Sequence, residues 1–107
     1  MITTGFPSPA SDFEEKDPDL NRLLIKNPSS TFFLRARVLS VTSLPVRDRD
    51  ILIVDRSLEP SEGDLFIVPQ DGSLRLKYMD HLSARSSQRD EGECWGVVTW
   101  IIHSSKG

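Results

Sequence analysis

The side chains of this chain that could act as nucleophile or base are one cysteine, Cys94, a scatter of serines, two histidines and four lysines. A nucleophile carries no information until a base can be put beside it. Cys94 adjoins Trp95 at the start of an apolar run, which reads as a packed and inert thiol. A Ser-His-Asp arrangement needs an imidazole near a serine. His81 falls on a strand end or loop and His103 near a frayed terminus, and nothing in the spacing marks a partner for either, so both read as surface or partly packed residues. A Ser-Lys pair is the remaining chemistry, because a lysine desolvated among apolar groups loses its proton and can then accept one from a serine hydroxyl. Lys77 is the one lysine inside the strand-rich region, the others being Lys16, Lys26 and Lys106. Alternation puts Leu74, Leu76 and Tyr78 on one face and Ser73, Arg75, Lys77 and Met79 on the other. On spacing alone a solvated lysine is the simpler reading of Lys77.

The elements that would position these groups follow from patterning. Residues 1–18 hold Gly5, Pro7, Pro9, Pro18 and the acidic run Asp12 to Asp17, which offers neither continuous backbone pairing nor a buried face and predicts an extended arm. Asp17-Pro18 has the form of an N-cap followed by proline at the first helical position, with Asp19 in the first turn. Leu20, Leu23 and Leu24 then recur at helical spacing until Asn27-Pro28, predicting one short amphipathic helix. From Thr31 onward, runs rich in Phe, Val, Ile and Leu are bounded by Pro, Gly and Asp. Phe32–Val41 and Ile51–Val54 are strand candidates, the latter closed by Asp55. Leu65–Val68 is a third, ended by Pro69. Gln70-Asp71-Gly72-Ser73 predicts a hairpin turn, since Asp-Gly tolerates the positive φ of a two-residue loop, and Leu74–Met79 is its return strand. Residues 84–92 are polar and predict a loop before the last strand, Trp95–Ile102. Several short strands, one helix and no βα alternation predict a mainly β domain over 19–107, a small and largely antiparallel barrel or sandwich with an N-terminal appendage.

Composition bounds the class. A chain of 107 residues and 12.1 kDa is one domain, and 37% hydrophobic with 27% charged residues is ordinary globular usage. Sixteen acidic against thirteen basic residues leave a net charge of -3, so no broad positive field draws the chain onto nucleic acid, and no direct nucleic-acid binding is expected. The longest apolar stretch, Val97 to Ile102, is too short to cross a bilayer and no leader opens the chain, which predicts a cytoplasmic protein without membrane attachment. No Cys and His cluster has metal-site spacing, so neither a metal nor a cofactor is expected.

Three segments carry a family resemblance. Gly5-Phe6-Pro7-Ser8-Pro9-Ala10 with the acidic stretch, Asp19-Leu20-Asn21-Arg22-Leu23-Leu24-Ile25, and Asn27-Pro28-Ser29-Ser30-Thr31-Phe32-Phe33 resemble the start of the processed form of UmuD-type proteins. Asp50-Ile51-Leu52-Ile53-Val54-Asp55-Arg56-Ser57-Leu58, with Gly63-Asp64, Asp71-Gly72 and Leu76-Lys77, resembles the β core shared by UmuD and the LexA-type self-cleaving Ser-Lys peptidases. Trp95-Gly96-Val97-Val98-Thr99 resembles their closing strand. The resemblance implies a LexA/UmuD-like fold, with Ser40 as nucleophile, Lys77 as general base and the Thr4-Gly5 bond as the cleavage site. It also implies an accessory role for an error-prone translesion DNA polymerase in the SOS response to DNA damage. The implied partners are a second copy in a homodimer, the polymerase catalytic subunit, and a RecA-type recombinase filament that stimulates cleavage. Only Met1 to Thr4 precede the implied bond, so the chain is expected to be close to its processed form.

The sequence departs from that family around the nucleophile. Glycine and acidic residues precede the family serine and methionine follows it, whereas Val38-Leu39 precede Ser40 and Val41 follows here. Bulky residues restrict the close backbone approach that glycine permits. The segment from Tyr78 to Cys94 is also shorter than in typical members. Two further roles therefore stand beside the accessory subunit: an active Ser-Lys self-peptidase, and an inactive homologue that pairs with UmuD-type subunits and antagonises them.

Overall fold

The computed structural model describes residues 19–80 and 94–106. The arm, Thr4 and Gly5 of the implied cleavage site, His81 and the polar 84–92 segment lie outside the described residues. Helix α1 spans Leu20–Leu24, and strands β1 Thr31–Arg35, β2 Ile51–Asp55, β3 Leu65–Gln70, β4 Ser73–Tyr78 and β5 Gly96–Ile102 follow. They form one antiparallel sheet in the order β1-β2-β5-β3-β4, curled into a half-barrel. The mainly β, largely antiparallel reading holds, with β1 and β4 at the sheet edges.

Cross-strand partners share a face, and the register sorts the side chains accordingly. Leu34, Leu52, Ile101, Val54, Val98, Leu65, Ile67 and Leu76 lie on one face and form the main core cluster with Val46. Ile53, Val97, Phe66, Val68 and Lys77 lie on the other, where Ile53, Val68 and Val97 are also buried. A strand buried on both sides must be a continuous apolar run. That is why Ile51-Leu52-Ile53-Val54 shows no alternation, and why it occupies the second position of the sheet rather than an edge.

Four expectations about element boundaries are corrected. The helix is capped by Asp19, whose Oδ1 accepts from the Asn21 backbone N–H at 3.0 Å, so Asp19 and not Asp17 stands at the N-cap. The first strand stops at Arg35 instead of continuing to Val41. Ala36 still exchanges backbone hydrogen bonds with Asp50 and Arg49, but Arg49 turns to φ 75° and the Val38 N–H goes to the Asp48 side chain, so the ladder ends there. Strand β3 runs through Pro69 to Gln70, and β4 begins at Ser73. Pro69 pairs with Leu74, next to the residues that close the two-residue turn. At that register its missing N–H points away from β4, on the side where β5 pairing has already ended at Ile67. The predicted Asp71-Gly72 turn is present, both residues having positive φ (52° and 79°) as a type I′ hairpin requires.

Candidate functional site

Ser40 sits near the tip of the 36–50 loop that joins β1 to β2. The loop is not a loose excursion, because its small and apolar residues Ala36, Val38, Leu44 and Val46 fold back over one face of the sheet and join the core cluster. Their burial leaves Leu39, Ser40 and Val41 projecting, with Val41 fully exposed. Between this loop and strand β4 lies an open groove of about 580 Å³. Leu44, Val46, Leu52, Ile67 and Leu76 supply apolar lining, Ser40 lines one side, and the described residues along its rim include Arg35, Arg37 and Arg75 and no acidic residue.

Lys77 is half-buried on β4 and stands opposite Phe66 across the β3–β4 ladder. Leu76, its neighbour, faces the groove, whereas Lys77 is not among the lining residues and by alternation occupies the other face. The sheet thus brings the loop carrying Ser40 beside the strand carrying Lys77. The two residues are placed differently, Ser40 along the groove and Lys77 by register on the opposite face of the sheet.

Two buried carboxylates bracket β2 and hold the ends of the surrounding chain. Asp55, 4% exposed, accepts from Asn27 Nδ2 (2.6 Å), from Ser30 Oγ (2.8 Å), and from both the backbone N–H and the hydroxyl of Ser57 (2.8 and 2.6 Å). Burial alone would push its carboxyl up, but these donors from Asn27, Ser57 and Ser30 together outweigh it and lower the pKa to about 2. Asp50, 3% exposed, accepts from the Arg47 backbone N–H at 2.8 Å, and its Oδ1 lies 2.7 Å from His103 Nδ1. Burial again opposes the charged form, and the Arg47 N–H with the neighbouring His103 and Arg47 side chains holds the carboxyl below its ordinary value. His103 Nε2 in turn lies 2.8 Å from Arg47 Nη1.

His103 was expected near a frayed end, yet it bridges the end of β5 to the Ser40 loop. The signal for this was present in the apolar run flanked by an aspartate on each side, since a carboxylate buried at a strand end must find donors. What the pattern could not supply was which donors. Trp95, expected at the head of the last strand, packs under Arg56, whose guanidinium lies 4.3 Å from the ring centroid, and beside Phe32 at 5.6 Å. Cys94 forms no disulfide, and no group of His, Cys, Asp and Glu able to hold a metal occurs among the described residues. No helix among them is long and apolar enough to cross a membrane.

Comparison with known proteins identifies this scaffold. A Peptidase S24-like family model matches residues 1–88. The chain belongs to that family. Its relatives include the protein ImpA of Salmonella typhimurium, 36% identical over 114 residues that cover 95% of this chain and 79% of the relative. The protein SamA of Salmonella typhimurium strain LT2 is 34% identical, covering 95% and 80%. The protein MucA of Escherichia coli is 30% identical over 118 residues, covering 92% and 77%. These relatives are UmuD-family proteins, so the resemblance drawn from the opening segment and the β core is upheld.

Proposed function

We propose that this chain is a UmuD-like accessory subunit of an error-prone translesion DNA polymerase, acting in the cytoplasm as a homodimer during the SOS response to DNA damage. The observation that carries the reading is kinship to UmuD-family proteins along 95% of the chain, over a β core whose fold agrees with it. In this role the polymerase performs the nucleotide chemistry, and the β domain supplies surfaces for a second copy and for the catalytic subunit. Exposed Trp100 and Ile102 on β5 and Phe33 on β1 suit such contacts, because large apolar and aromatic side chains are favoured in interface cores. Expression of the chain with a polymerase catalytic subunit, in bacteria lacking their own UmuD-type protein, is expected to restore damage-induced mutagenesis. An unchanged mutation frequency overturns the accessory role, and a fall in mutagenesis when the chain is added to cells with an intact UmuD-type protein favours the antagonist.

Self-cleavage is the second reading, favoured by the position of Ser40 on an open groove. In this reading Lys77 Nζ, unprotonated, takes the Ser40 hydroxyl proton while Oγ attacks the Thr4 carbonyl carbon. The Thr4–Gly5 C–N bond then breaks, the proton passes to the Gly5 amine, and water hydrolyses the ester to restore the hydroxyl. The reaction requires Lys77 to reach the groove from its place beside Phe66, and a RecA-type filament would promote it. A family-length arm grafted ahead of Gly5 tests the step. Cleavage that disappears in Ser40→Ala and in Lys77→Ala supports the dyad, and absence of cleavage at alkaline pH leaves a binding subunit.

A further inference from the structure

Arg47, Asp50 and His103 form a chain of side chains that neither the accessory role nor the cleavage reading uses. Its geometry dictates a protonation state. An arginine has donors only, so Arg47 Nη1 at 2.8 Å can be satisfied by His103 Nε2 only where that nitrogen carries a lone pair. The Asp50 carboxylate, which also accepts from the Arg47 backbone N–H, can as an ionised group only accept, so His103 Nδ1 at 2.7 Å is the donor. The two partners thus match a ring with its hydrogen on Nδ1 and a lone pair on Nε2.

We propose that neutral His103 is a latch that fixes the Ser40-bearing loop to the end of β5, and that protonating its Nε2 releases Arg47 and loosens the loop. Added to the neutral ring, a second proton occupies the lone pair that holds Arg47 and sets two positive groups face to face. The Asp50 contact gains charge at the same moment. The last residue of the loop, Asp50, thus stays tied to the strand end while the Arg47 side chain, and with it the stretch of loop before Asp50, loses its link to the ring. Among the described residues, the charged groups around the ring are few. Asp50 and Arg47 touch it, Asp48 and Arg49 lie in the same loop 4.0 Å from one another, and Lys106 follows it on the terminal segment. Arg47 is joined to the rest of the loop by two neighbouring bonds, from its own N–H to the Asp50 carboxylate and from the Arg49 N–H to the Ala36 carbonyl. His103 is accordingly a positioning residue for Ser40, whichever of the two functional readings applies.

The test has two readouts. Long-range nitrogen–proton correlation spectra of the labelled wild-type ring at pH 8 are expected to show a neutral imidazole protonated on Nδ1, and an Nε2-protonated ring overturns the proposal without any variant. Amide hydrogen exchange, expressed as protection so that base catalysis cancels, follows the loop. Protection of the Arg47 and Arg49 amides is expected to fall about five- to tenfold as pH drops from about 8 to about 5, the size of one lost hydrogen bond. His103→Gln keeps one donor and one acceptor but does not titrate, so it should remain folded with a flat profile. His81→Gln, which removes the other imidazole, should retain the wild-type response. A pH-dependent loss of protection that persists in His103→Gln overturns the latch.

Discussion

Asp55 shows how much one side chain can hold together. Four donors from Asn27, Ser30 and Ser57 converge on a carboxylate that would otherwise be costly to bury, and they join the turn after α1, the start of β1 and the end of β2 at one point. Because its folded pKa is lowered to about 2, the stabilisation is fully present above the unfolded value and lost as pH falls through the window from about 4 to 2. The difference corresponds to roughly 2 kcal/mol. Asp55→Asn is expected to lower stability at pH 7 by about 2 to 4 kcal/mol and to flatten the acid limb of a urea-denaturation series over that window. Arg49 makes the opposite case, a residue whose backbone works against it. It takes φ 75°, where a side chain is strained, while its carbonyl accepts from Arg35 Nη1 at 3.0 Å, a bond independent of its own side chain. Arg49→Gly is therefore expected to leave stability unchanged or raise it by up to about 1 kcal/mol, and Arg49→Val to lower it by about 1 kcal/mol or more, both read from thermal unfolding midpoints. The acidic residues at both ends of Ile51–Val54 were visible in the sequence. Their partners were not, since Asn27 and His103 lie 28 and 53 positions away from the carboxylates they meet and no local pattern encodes such pairings.

At the scale of elements, the sequence was most informative where local chemistry alone decides the outcome. The Asp71-Gly72 turn and the β3–β4 hairpin follow from the positive φ that two-residue loops demand, and the unbroken apolar run Ile51–Val54 reads as a strand, which the fold covers on both faces. It was least informative where tertiary contacts override pattern. Phe32 to Val41 alternates as a strand should, yet the chain leaves the sheet after Arg35 because Ala36, Val38, Leu44 and Val46 gain more burial by folding over the core than by extending an edge. The same override moves Ser40 from an edge strand to a loop tip. Strand β5 has a different constraint at Gly96, where a Cβ would stand 2.6 Å from Val54 Cγ1. Gly96→Ala is expected to cost about 1 to 3 kcal/mol by forcing Val54 out of its fully buried position, seen as a lower urea midpoint with an unchanged slope. A midpoint equal to that of the wild type would mean that β2 and β5 are less closely packed than this.

For the molecule as a whole, the site is a surface formed where a core-packed loop meets an edge strand, more than a pocket sunk into the fold. The identity of its family was legible from the opening segment and the β core. The placement of the two implied catalytic groups was not, because alternation fixes which face Lys77 takes but not how the curled sheet and the loop tip approach one another. Ser40 is an exposed serine on a groove with apolar lining, and bulky Val38, Leu39 and Val41 stand about it where glycine would let backbone amides approach closely. Assembly is consequently the property on which the account turns. Light scattering coupled to size-exclusion chromatography, on the chain alone and mixed with a translesion polymerase catalytic subunit, measures it directly. At micromolar concentration the account predicts a mass of two chains alone, and of two chains with one catalytic subunit in the mixture. A monomer that elutes apart from the polymerase would contradict it.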